Sequence, residues 1–206
     1  MRLKLIVLPV AVALLALAPA AQALTFTVSG STGTGGAISA TASTALVFRD
    51  TATGTNITCS PAPRFTGAAA NGAGRPGSGL IALSTATSVS CALPGSLTTT
   101  LRATNLPWLF NGTSYSPGVT RGSMVGVEID FTGTCALLMR GSVSSNAATV
   151  DASYTNSTHT LAFTGGGDLH AWAVTGLCLG LINSGDAITM TASYPVTPNT
   201  LAIVSP

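Results

Sequence analysis

Apolar and polar residues alternate with a period of two along most of this chain. Val125, Val127, Ile129, Phe131, Cys135, Leu137 and Met139 share one parity, while Gly126, Glu128, Asp130, Thr132 and Arg140 hold the other. Side chains of a strand point alternately to its two faces, so this pattern predicts a half-buried strand, a Thr-Gly-Thr turn and a second strand. The same alternation runs through Ile81, Leu83, Thr85, Thr87, Val89 and Cys91, through Leu97, Thr99, Leu101 and Ala103, and through Ile188, Met190, Ala192, Tyr194 and Val196. Shorter strands are expected near Phe26, 46–48, Ile57, Phe65, 108–110, 150–154, 161–163 and 169–174. Gly, Pro and Asn punctuate them, as in Asn111-Gly112 and Pro117-Gly118, and no capped 3.6-residue period appears after residue 23. The prediction is an all-β domain over 24–206, an antiparallel two-sheet sandwich with a barrel as its alternative.

The first 23 residues follow a different rule. Arg2 and Lys4 precede an apolar run at 5–17 and a small-x-small site at Ala21-Gln22-Ala23, the arrangement of a secretion signal cut after Ala23. The run is shorter than the ~20 residues that span a bilayer, so the mature chain is expected to have no membrane span and to be secreted or associated with the envelope. Removing the signal leaves six Arg against five Asp and one Glu, and 31 Thr with 21 Ser supply the polarity that charge normally gives. A chain of zero net charge has no electrostatic footprint for nucleic acid.

Four cysteines, Cys59, Cys91, Cys135 and Cys178, are an even number in a chain expected to be secreted, which predicts two disulfides. Three connectivities are open. Pairing neighbours closes loops of 33 and 44 residues, worth roughly 4 kcal/mol each in the chain-entropy model. No CxxC spacing supports zinc, and no cofactor is implied. The stretch 67–79 has almost no side chain to bury and reads as a mobile loop carrying Arg75.

The stretches Asp50-Thr-Ala-Thr-Gly-Thr-Asn-Ile-Thr-Cys59, Leu106-Pro107-Trp108, Tyr154-Thr-Asn-Ser-Thr158, Gly166-Gly-Asp-Leu-His170 and Gly176-Leu-Cys-Leu-Gly-Leu-Ile-Asn-Ser-Gly-Asp186 resemble a group of secreted proteins of actinomycetes. The resemblance spans most of the mature chain. It implies secretion and a β-rich fold, and it brings no catalytic residue.

Motifs for chemistry are absent. No serine sits in a nucleophile elbow, and there is no HExxH, P-loop or calcium loop. Asp168 and His170 share parity on one short strand, but a triad usually draws its Asp from elsewhere in the fold. Glu128 and Asp130 point the same way, yet two ligands fall far short of the 6 to 8 oxygens calcium takes, and Arg140 lies diagonally across the hairpin. Both parities of 169–174 are largely apolar, which predicts a strand covered on both sides with Trp172 in the core; the alternative is an outward ligand surface of Trp172, His170 and Asp168. The expectation is a non-catalytic envelope or matrix component or binding module. Its rivals are a carrier of a small apolar ligand, an envelope β-barrel, and a surface-binding protein using its Thr-x-Thr repeats.

Overall fold

The computed structural model describes residues 24–33, 35–178 and 180–206; the expected signal segment lies outside them. Among these described residues seventeen strands form. They are β1 Thr25–Ser29, β2 Ala37–Ala40, β3 Leu46–Asp50, β4 Asn56–Cys59, β5 Phe65–Ala69, β6 Gly72–Pro76, β7 Ile81–Ala86, β8 Val89–Leu93 and β9 Leu97–Thr104. The remainder are β10 Trp108–Ser116, β11 Val119–Gly133, β12 Cys135–Arg140, β13 Ala148–Thr155, β14 Thr160–Gly167, β15 His170–Gly176, β16 Ile188–Thr197 and β17 Ala202–Val204. The helical content among the described residues is one 3-10 turn at Pro94–Ser96. The all-β antiparallel expectation holds, with one large sheet and one small one.

Registers reduce the large sheet to a simple plan. β9 and β10 lie end to end along one side of β11, β9 opposite its second half and β10 opposite its first. β12 and β13 do the same along the other side. In like manner β2 continues into β3, β4 into β5, β7 into β8 and β14 into β15. The result is eight long antiparallel lines in chain order, each paired with the next, and the last, β16, pairs back onto the first through both β2 and β3. The sheet therefore closes on itself, the barrel-like form of the expectation. Two of the lines are interrupted midway by a proline, which has no backbone N–H to give a ladder, Pro61 between β4 and β5 and Pro107 between β9 and β10, while β11 runs on through a bulge around Gly126. Gly126 has φ +83°, a value that side-chain-bearing residues rarely adopt.

The parity read from the sequence decides what fills the barrel. Phe48 and Phe131 meet edge to face at 5.4 Å in one half. In the other, Trp108, Phe65, Tyr194 and Phe163 form a chain of rings at 5.5, 5.3 and 5.8 Å. All six are buried. The small sheet, in the order β17, β1, β6, packs on the end that carries the 117–118 and 156–159 turns, where Tyr154 Oη donates to Leu201 O (2.8 Å) and Asn156 holds Ile203 through both its amide groups.

Two expectations need correction here. The stretch 67–79 is not a mobile loop: its first residues end β5, and Gly72–Pro76 is β6, paired with β1. Backbone hydrogen bonds order it, with Ala69 as its only buried side chain. Gly67 is required, since a Cβ there would lie 1.8 Å from Ala82 O on β7. Arg75 stays exposed, but its Nε donates to Ala70 O (2.9 Å).

The second correction concerns the cysteines. Cys59 and Cys91 stand directly opposite one another on β4 and β8, Cα atoms 4.0 Å apart, and are bonded. Cys135 and Cys178 are buried free thiols. The register of β12 on β15 sets Cys135 opposite Gly176, so Cys178 lies beyond the ladder in a turn, where its thiol donates to Thr175 O (3.0 Å) while touching Cys135. Burial, with the adjacent Cys178 thiol, pushes the Cys135 thiol far up from its ordinary value. Alkylation of unreduced protein at pH 8 is therefore expected to add nothing while the fold is intact and to label both residues once it is unfolded. No added mass in denaturant would mean that these two sulfurs are bonded.

Candidate functional site

The outward face of β9, β11, β12 and β15 gathers the chain's most varied chemistry. Register places Arg102 opposite Asp130, Asp130 opposite Leu138 and Leu138 opposite Trp172. One step along, Thr104 faces Glu128, and Arg140 faces His170. Arg140 ties the two acidic residues together: its Nη1 pairs with Glu128 Oε2 and its Nη2 with Asp130 Oδ1 at 3.3 Å. These groups are partly exposed, and exposed ion pairs contribute at most about 1 kcal/mol each, so the cluster shapes the face more than it stabilises the fold.

Trp172 is a third correction, this one to the expected core. It is half-buried on the outer face, whereas its neighbour Ala171 is fully buried and Leu169 nearly so. With both parities apolar, volume decides. The barrel interior is already filled by large rings, and the small Ala171 side chain fits where an indole would not. The indole is nevertheless held, because Nε1 donates to Gly141 O (3.0 Å) and the His170 ring lies 6.5 Å away, tilted by 30°. His170 Nδ1 sits 2.8 Å from Asp168 O. A carbonyl only accepts, so Nδ1 carries the proton, and in the neutral ring Nε2 is left as an acceptor.

Asp168 does not join them. Its carboxylate turns away to accept from the Thr149 backbone N–H (2.6 Å), fixing the approach to β15. The structure thus joins Trp172 to His170 and leaves Asp168 outside, and the His170 contact to residue 168 is through its backbone. Among the described residues no cluster of three or more His, Cys, Asp or Glu is arranged to hold a metal. Among the described residues no helix is long and apolar enough to cross a membrane.

Sequence reasoning missed a pair of carboxyl groups at one end of the barrel. Asp50 is fully buried at the end of β3, and its side chain contacts that of Asp186, just before β16. A signal was present: Leu46, Phe48 and Asp50 share the inward parity, so a carboxyl group stood at a core position. Comparison of the chain with protein-family models, with curated proteins and with solved structures gives no match.

Proposed function

We propose that this is a secreted, non-catalytic binding component of the cell envelope or extracellular matrix, and that Trp172 with His170 is the platform on which it takes a neutral saccharide. The observation that carries this reading is a partly exposed indole fixed by Gly141 beside Glu128 and Asp130, which Arg140 bridges and which Arg102, opposite Asp130, brings to a net charge of zero. The indole offers a flat apolar face already ordered before binding, which lowers the entropy lost on association. His170 on its own strand, Arg140 on the next and Glu128 and Arg102 further along the same face add donors and acceptors. Balanced charge favours a neutral polar partner over an anion or cation. The 1–23 segment and the Cys59–Cys91 bond support an extracellular setting.

The carrier of a small apolar ligand has less support, because ring side chains meet across both halves of the barrel interior. An envelope barrel exposes an apolar band to lipid, and here the outward positions Thr66, Thr85, Thr98, Thr100, Arg102 and Thr132 are exposed and polar. Electrophoresis through gels containing neutral polysaccharides tests the proposal. The native protein is expected to be retarded by at least one of them, and Trp172→Ala to weaken that retention tenfold or more. Retention in none, or retention indifferent to Trp172, would overturn it.

A further inference from the structure

Of the segment 177–186, residues 177–178 and 180–186 are described; they cover the barrel end opposite the small sheet and are fastened to the 51–54 turn. Cys178 and Ile182 are buried beneath it. Thr53 Oγ1 donates to Leu181 O (2.6 Å) and Thr51 Oγ1 to Ala187 O (2.9 Å). Between these ties stand Asp50 and Asp186. Asp50 Oδ1 accepts from the N–H groups of Ala52 (2.7 Å) and Thr53 (3.0 Å), which closes the turn. Asp50 Oδ2 is buried with no donor. The side chain it faces is that of Asp186, whose own Oδ2 accepts from the backbone N–H (2.8 Å) and side-chain amide (3.0 Å) of Asn183.

Ionised carboxylates only accept hydrogen bonds, so two of them in contact, one fully buried, would each leave an oxygen unsatisfied and repel. A single proton between them turns the same contact into a charge-assisted hydrogen bond. We propose that a proton shared by Asp50 and Asp186 latches the 177–186 segment onto the barrel end, and that losing this proton loosens the segment.

The ionisation of the pair agrees with that arrangement. Burial raises the Asp50 carboxyl above its ordinary value against the pull of its two backbone donors, and Asp186 contributes by hydrogen bond and charge. Desolvation acts to raise Asp186 too, but the Asn183 backbone N–H, the Asp50 carboxyl and the Asn183 amide outweigh it and hold it low. The proton therefore resides on Asp50. A raised folded value stabilises fully below the unfolded value and is lost as pH rises through the folded one; the lowered Asp186 contributes above its unfolded value and is lost in stronger acid. The latch is tight in mild acid and opens as pH rises through the raised Asp50 value. Other ionisable groups on the packed elements are Arg49 on β3, His170, whose backbone bridges to Ala187, and Cys178 and Cys135 beneath the segment. None has a hydrogen bond or ion pair to either carboxyl.

Hydrogen exchange of the segment's amides at pH 4 and pH 8, corrected for intrinsic rates, tests this. Protection in the native protein is expected to fall tenfold or more between the two, with the β11 amides unchanged. Asp186→Asn places a permanent donor opposite Asp50 Oδ2 and should make protection independent of pH; Asp50→Asn gives the same comparison with the donor on the other side. Protection that does not change with pH in the native protein, or that falls equally in either variant, overturns the latch.

Discussion

Truncating Trp108 to alanine is expected to cost the fold about 3–5 kcal/mol, whereas the same truncation at Trp172 is expected to cost about 1 kcal/mol. Trp108 is buried, its ring packs at 5.5 Å on Phe65, and through Phe65 it reaches Tyr194 and Phe163. Its Nε1 also satisfies Thr104 O (2.9 Å) at the break between β9 and β10. Alanine there opens a cavity at one end of a chain of rings and strips a carbonyl of its donor, two losses that add. Trp172 has one face on the barrel wall and the other in solvent, so its removal leaves no enclosed void. Urea unfolding of the two variants separates the cases, and for a chain of this length the Trp108 loss corresponds to a fall in Tm on the order of 10 °C. Equal midpoints would contradict the assignment of Trp108 inside and Trp172 outside.

Replacing Cys59 and Cys91 together by alanine is expected to destabilise by about 2–5 kcal/mol. The bond spans 32 residues, and β5, β6 and β7 lie between its ends. Without it, an unfolded chain regains the freedom of that whole loop, while β4 and β8 are left joined by a ladder of only two residue pairs, Thr58 with Ala92 and residue 59 with residue 91. Because part of the effect lies in the unfolded state, the denaturant slope should be read together with the midpoint. A midpoint unchanged under reducing conditions as well as in the double variant would show that the barrel does not depend on this staple.

Parity made most of this legible in advance. It placed Ile129, Phe131, Cys135, Leu137 and Met139 inside and Glu128, Asp130 and Arg140 on the outer face, where the structure has them. It did not reveal that short strands join end to end. Pro94-Gly95 marks a true reversal between β8 and β9, while Leu106-Pro107 marks only a break between two strands on the same side of β11, and the two look alike as residues. The distinction depends on register, which is fixed by partners distant in the chain. Trp172 failed for a related reason: a strand with two apolar faces carries no parity signal, and the choice between Trp172 and Ala171 rests on the space left by rings contributed from β5, β10 and β16. Asp168 was misleading because strand parity applies only within a strand, and residue 168 precedes β15.

The closure of the eight lines bears on the strand margins that a Thr-rich chain with balanced charge presents to its neighbours. Like-charge repulsion between molecules, the usual safeguard against association, is nearly missing here. Unpaired strand margins are what such a protein must avoid, since each offers a row of free backbone donors and acceptors to a neighbour. A sheet that returns to its first strand has none, and in the small sheet the two outer strands are poor templates: β17 is three residues long, and β6 consists of Gly72, Ala73, Gly74, Arg75 and Pro76, short, charged and ended by a residue that cannot donate. Topology thus limits edge-to-edge pairing of this chain without any contribution from net charge.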